Sequence, residues 1–270
     1  MMYPTLSVVG VGNMAKAILT GLMKSDLSVS KIYLYDKFSS QCEDFLAYGD
    51  LFQPATSVAE AVYSGEYVLL AVKPQNYDEV LSEIVTVKDY QNKIYISIGA
   101  GISSTSVSER LGGAVVIRVL PNVPMLIGMG VSLICRNPEA TKESFDFVNR
   151  LFCGAGNTIM IEESEMNRMI GVTSSSPAYV FRFIQSIYEG AMAQNLSDRS
   201  LLDAICDVVI GSAQLLKQSK DSPQELIAKV ASKGGTTEQA LRVLSEQGFN
   251  ETVCQAMIAC TTRADELANM

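Results

Sequence analysis

Two stretches of this chain combine residue types and spacings suited to holding small anions. The first, VVGVGNMAKAIL, follows an apolar run and opens a helix-like segment, with Gly10, Gly12 and Ala15 at G-x-G-x-x-A spacing. Gly10 permits a tight turn, Gly12 lets the backbone approach a pyrophosphate, Ala15 lets helix and strand pack closely, and the helix N-terminus favours negative charge. An ordinary strand-to-helix turn with small residues looks the same. The flanking strand and helix patterns, with Asp36 ending the next strand pattern 24 residues after Gly12, point instead to a dinucleotide. A carboxylate at that place accepts hydrogen bonds from the ribose hydroxyls of NAD and repels a 2′-phosphate. Lys37 beside it would do the opposite, and Asp36 acting only as a turn cap is the plainer alternative. The site so predicted comprises Gly10, Val11, Gly12, Asn13, Met14, Asp36 and Lys37, with Ser57 as a further cofactor contact. Two more strand ends would face the same crevice. LLAVKPQ supplies Ala71, Val72, Lys73 and Pro74, and SIGAGIS supplies Gly99 and Ala100. Lys73 precedes a proline, which disfavours helix there, and a plain surface lysine fits equally well.

The second stretch is LIAKVASKGGTTEQALRVL, residues 226–244. A glycine pair costs a helix about 1–2 kcal/mol relative to alanines. Thr236 and Gln239 have capping-box spacing, so a helix can begin at Thr236. Gly234 and Gly235 then lie just ahead of its N-terminus, where bare N–H groups and the helix dipole can receive a carboxylate. The hydroxyls of Ser232, Thr236 and Thr237 add donors. A simple helix–turn–helix connection would look the same.

The elements around these stretches divide the chain. Short apolar runs at 6–12, 31–36, 67–73, 93–99, 114–120, 130–135 and 157–162 read as strands. The first five lack polar alternation, as expected of a mainly parallel sheet covered on both faces. Helical patterns lie between them, for example 14–25, so residues 1–162 are predicted to form a Rossmann-like, doubly wound α/β domain. From residue 163 to 270 the spacing is helical: 165–195 with a kink at Pro177, 198–219, 222–231 with a Ser222–Glu225 capping box, and 250–270. Several of these helices are apolar on more than one face, so this all-α domain is predicted to pack against another subunit.

Composition narrows the function. The 270 residues carry a net charge of −8 and no long basic run, which argues against nucleic acid and anionic membrane as partners. The beginning of the chain has no basic region of the kind that leads a signal peptide, and the apolar runs are too short and too interrupted by charge to span a bilayer. Six cysteines without a C-x-x-C read as reduced thiols of a cytoplasmic protein. Histidine is absent, which excludes Ser-His-Asp and Cys-His catalysis and His-ligated metal; no metal site is predicted.

SKGGTTEQAL resembles the S-P-G-G-T-T-x-x-A-L signature of the pyrroline-5-carboxylate reductases, which make proline. GVGNMAKAI, AVKP, SIGAG, RVLPNVP and GVTSSSPAYVF follow that family's motifs in order over essentially the whole chain. The resemblance implies reduction of 1-pyrroline-5-carboxylate by NADPH or NADH, Asp36 favouring NADH, with the nicotinamide against Pro121 and Asn122. It implies that the Ser232–Thr237 turn holds the substrate carboxylate, that Thr237 reaches the ring nitrogen, and that Ser175 belongs to the substrate site. It further implies a homodimer through interlocked C-terminal helices, with further assembly into rings. Three residues depart from the family pattern. Val123 stands for a threonine, Ser174 for a glycine and Lys233 for a proline that stiffens the turn. They leave two alternatives: a reductase of a related cyclic imino acid, and a nucleotide-binding regulator without turnover.

Overall fold

The computed structural model describes residues 3–135, 137–196 and 198–268. Its strands are β1 (Thr5–Val9), β2 (Lys31–Tyr35), β3 (Phe52–Pro54), β4 (Tyr67–Leu70), β5 (Ile94–Ser97), β6 (Val115–Leu120), β7 (Gly130–Cys135) and β8 (Gly156–Ile161). They form one sheet in the order β3-β2-β1-β4-β5-β6-β7-β8. The strands β1 to β6 pair in parallel, β7 runs antiparallel to β6, and β8 is parallel to β7. The 3-2-1-4-5-6 part is the doubly wound order, whose ligand crevice lies beyond the carboxyl ends of the strands.

Alternate residues of the central strands enter two different cores. Leu6, Val8, Tyr67 and Leu69 pack with Ile18 and Leu19 of α1 (Asn13–Lys24), while Val9, Val68 and Leu70 face the opposite side. That second core is closed by α3 (Val58–Ser64), α4 (Tyr77–Ile84) and α5 (Ser104–Arg110), after a short α2 (Glu43–Leu46). The first is closed also by α6 (Lys142–Cys153), through Phe147 and Leu151. Burial on both faces is why these strands read as continuous apolar runs. The short β3 was not among the predicted strands. It holds Pro54 and sits at the sheet edge, where a missing N–H costs no ladder bond.

The chain forms two compact units: one runs to Ser175 and takes in the chain from Cys260 onward, the other spans Ser176–Ala259. The first ends in α7 (Met166–Thr173). The second is helical, with α8 (Ser176–Ala193), α9 (Leu201–Gln218), α10 (Pro223–Val230) and α11 (Thr236–Glu246). The last helix, α12 (Phe249–Ala268), begins in the second unit and ends in the first. The predicted closing helix runs to 270; residues 269 and 270 lie outside the described ones. The expected single helix over 165–195 is two helices. The break is at Ser174 and Ser175, and Pro177 does not kink a helix interior but occupies the first turn of α8, where a missing N–H is harmless. The Ser222–Glu225 capping box forms as predicted.

In the helical unit Ile205 is buried, whereas Phe181, Val208 and Val230 are more than half exposed (59%, 66% and 68%). Helices this apolar with so little enclosed core carry the surface of an interface.

Candidate active site

A cleft of about 510 Å³ opens at the carboxyl ends of β1, β2 and β4. Of the predicted cofactor residues, Gly10, Gly12, Asn13, Asp36, Lys37, Ala71, Val72 and Lys73 line it; Val11, Met14, Ser57, Pro74, Gly99 and Ala100 do not. Gly10 has φ +92°, and a Cβ there would lie 2.9 Å from the backbone of Ala71 and Val72. Only glycine fits that turn. Gly12 differs: a Cβ would meet nothing within 4 Å, so the protein leaves open space at this residue. Gly12 also caps α1 without a side-chain bond, and no acidic residue stands in the first turn. The first amides of α1 are therefore offered to an anion. Open space beside unsatisfied donors fits a pyrophosphate.

Asp36 is more committed than its sequence position suggested. One carboxylate oxygen accepts from Val11 N–H at 2.7 Å and the other from Phe38 N–H at 2.9 Å. The carboxylate thus caps the turn after β2 and ties down the glycine loop, while each oxygen keeps a lone pair for a ribose hydroxyl. Ser57 spends its hydroxyl capping α3, accepting from Glu60 N–H at 3.0 Å. Lys73 is extended before Pro74, with φ −63° and ψ 148°. Sequence reasoning missed Tyr35, Phe38, Gln41, Asn76, Glu79 and Glu83, which also line the cleft. The pattern of α4 directly after the A-V-K-P strand end was the signal that could have found the last three. Burial pushes the Tyr35 phenol up, helped by the charges of Glu83, Glu79 and Asp36.

Next to the cleft-bearing strands, Asn122 is buried and bonded on both sides of its amide. Its Nδ2 donates to the Thr173 carbonyl at 3.0 Å, and its Oδ1 accepts from Val131 N–H at 2.9 Å. Ser174 Oγ donates to the Pro121 carbonyl at 3.2 Å, and Ser175 Oγ lies 3.2 Å from Cys260 Sγ. The Pro121–Asn122 segment is therefore clamped between β7 and the end of α7. Val123, the next residue, is 48% exposed.

The helical unit carries the second predicted stretch. Gly234 has φ +74°, a left-handed conformation suited to glycine, and Gly235 N–H closes the turn on the Ser232 carbonyl at 2.9 Å. A Cβ on Gly235 would lie 2.7 Å from Ser232 Oγ. The helix cap is not Thr236, as its spacing with Gln239 predicted, but Gly235; Thr236 is the first helical residue. Glu238 reaches back instead, accepting from Gly234 N–H at 2.7 Å. With the Gly234 and Gly235 amides occupied, the donors left for an anion are the first-turn amides of α11, from Thr236 onward. Among the described residues no cluster of metal-binding side chains occurs, and no helix is long and apolar enough to cross a membrane.

Such a sheet, glycine turn and acid-tipped second strand define a dinucleotide-binding protein of the Rossmann type. Residues 163–267 match the family model described as pyrroline-5-carboxylate reductase dimerisation, and residues 5–101 the one described as NADP oxidoreductase, coenzyme F420-dependent. The chain is 33% identical to the pyrroline-5-carboxylate reductase of Haemophilus influenzae over the full length of both, and 34% identical to that of Aquifex aeolicus over 97% of each. It is similar in fold to the crystal structure of Plasmodium falciparum pyrroline carboxylate reductase with NADP bound: TM-score 0.87, 24% identity, covering 99% of this chain and 100% of the other. The chain belongs to the pyrroline-5-carboxylate reductase family.

Proposed function

We propose that the protein reduces 1-pyrroline-5-carboxylate to L-proline with NADH or NADPH. The observation that carries this is the relationship to such reductases along the whole chain, through both the nucleotide-binding and the helical part. Reduced nicotinamide, when bound, supplies the hydride that the imine carbon accepts; the ring nitrogen takes a proton. Gly12, Asn13 and Met14 hold the pyrophosphate at the start of α1, and Asp36 faces the adenosine ribose, with a preference for NADH. Gly10, Val11, Lys37, Ser57, the Ala71–Pro74 loop and the Gly99–Ala100 loop complete the cofactor's surroundings. Residues 1–162 serve the nucleotide and residues 163–270 the substrate and dimerisation.

The substrate carboxylate is received at the Ser232–Thr237 turn, by the first amides of α11 and the hydroxyls around them. Thr237 orients the ring nitrogen and assists its protonation. Pro121, Asn122 and Ser175 form the wall against which the ring lies, with Asn122 held in place by its bonds to Thr173 and Val131. A chain without histidine suffices, because a protonated cyclic imine is already electrophilic and needs positioning more than acid–base work. The working species is a cytoplasmic homodimer formed through the C-terminal helices, able to assemble into rings. The deciding experiment follows oxidation of NADH and of NADPH in parallel with pyrroline-5-carboxylate. Turnover with either supports the proposal; tight dinucleotide binding with no turnover on this imine overturns it. A second reading, a reductase of a related cyclic imino acid, is favoured by exposed Val123, Ser174 bonded to Pro121, and Lys233 in the anion turn. A panel of cyclic imines separates the two.

A further inference from the structure

Tyr77 belongs to neither motif, yet it joins the two strand ends that both motifs leave unexplained. It is the first residue of α4 and only 2% exposed. Its hydroxyl lies 3.1 Å from the Leu70 carbonyl, 3.0 Å from Ser97 Oγ and 2.9 Å from Gly99 N. One hydroxyl has one proton and two lone pairs. Donation to Leu70 and acceptance from Ser97 and Gly99 use all three, so the group is saturated. Leu70 leads directly into the Ala71–Pro74 loop, and Ser97 and Gly99 flank the turn into Ala100. The fit is also steric: a Cβ on Gly99 would lie 2.8 Å from the Tyr77 ring and hydroxyl. Buried Arg118, the register partner of Ser97 on β6, continues the polar layer beneath the crevice.

Along the sheet edge, β2, β1, β4, β5 and β6 present in turn Asp36, the glycine loop, the 71–74 loop, the 99–101 loop and Pro121. A dinucleotide with its ribose at Asp36 and its pyrophosphate at Gly12 then lays its nicotinamide half over the ends of β4, β5 and β6. We infer that Tyr77 is a positioning residue, whose hydroxyl fixes the 71–74 loop against the 99–101 loop and thereby seats the nicotinamide half of the cofactor. The inference rests on the assignment of the cleft to a dinucleotide. Tyr77 touches neither substrate nor cofactor; it acts through the backbone of the two loops.

The test compares wild type with Tyr77→Phe, as the full chain, titrated with NADH, with NADPH and with ADP-ribose, which lacks the nicotinamide. Removing a hydroxyl that satisfies buried groups is expected to weaken binding of the preferred dinucleotide about tenfold and lower kcat by a similar factor. The Kd for ADP-ribose, which meets Ala71–Lys73 but not the 99–101 loop, weakens severalfold less than that for the dinucleotide, and the KM for the imine stays within about twofold. Equal weakening of dinucleotide and ADP-ribose would reduce Tyr77 to general packing and overturn the inference, as would no change in either. Ser97→Ala removes one partner and keeps the phenol; it should give the same pattern more weakly, and it carries the test should the phenylalanine variant not fold. Wild type that binds dinucleotide but turns over no imine would sink the reductase proposal alone, since the binding comparison still decides the role of Tyr77.

Discussion

Thr237 is the second residue of α11 and half-buried, while the glycines before it spend their amides inside the turn. Thr237→Ala should therefore lower kcat about 10²-fold, the lower range for an assisted proton transfer, and leave dinucleotide Kd nearly unchanged. An unaltered kcat removes the hydroxyl from the mechanism. Asp36→Ser should shift the ratio of NADH to NADPH turnover toward NADPH, because it deletes the charge that repels a 2′-phosphate. Serine can replace only one of the two backbone bonds of Asp36, so affinity for both cofactors should also fall. A ratio equal to that of wild type would show that Asp36 serves the loop alone. Gly10, Gly12 and Asp36 were legible in the sequence because spacing along one strand–turn–helix fixes where they stand. Glu238 and Tyr77 were not. Their roles depend on where a side chain ends, and the groups Tyr77 bonds are brought to it by the sheet rather than by the chain.

At the level of elements, the connector after β8 is pinned by an ion pair between buried Arg118 and half-buried Glu163. Arg118, 3% exposed in its side chain, donates from Nη1 to Glu163 at 2.6 Å and from Nη2 to Asn167 at 3.2 Å. Glu163 also accepts from Ser104 Oγ at 2.8 Å, at the start of α5. Burial pushes the Glu163 carboxyl up, but its hydrogen bonds from Cys135, Arg118 and Ser104 and the Arg118 charge outweigh it and hold the group below its ordinary 4.5. A depressed carboxylate stabilises the fold above its unfolded pKa, and that contribution fades as pH falls through the folded one. Glu163→Gln removes the charge paired with Arg118 but leaves it Asn167 and an amide oxygen, and should cost about 2 kcal/mol at neutral pH. Urea unfolding of both proteins should show the gap narrowing below about pH 4.5. A gap independent of pH would mean that the charge of Glu163 is not what matters. Most elements were legible, since the central strands are apolar on both faces. The break between α7 and α8 was legible in part: Pro177 signals that the helix is interrupted, but its place at Ser174 and Ser175 rests on their bonds to Pro121 and Cys260 and on Asn122 taking the Thr173 carbonyl.

For the molecule as a whole, the exposed apolar faces of α8, α9 and α10 set the expectation of a dimer. Val208, 66% exposed on α9, is a direct probe. Val208→Glu would bury an unpaired carboxylate in such an interface, at a cost of several kcal/mol. Light scattering on the wild type should give twice the 29.2 kDa chain mass or a multiple of that, and the variant should run as a monomer. A variant that stays dimeric places the interface elsewhere. The double use of Asp36 has a further consequence, for how this protein could change over time. A lineage drifting from one nicotinamide cofactor to the other cannot alter that carboxylate without loosening the glycine loop it anchors. The single-step path leads through a weaker enzyme, and a compensating change near Val11 or Phe38 has to come first. On the role proposed for Asp36, cofactor choice is buffered against mutation by the same two hydrogen bonds that shape the loop.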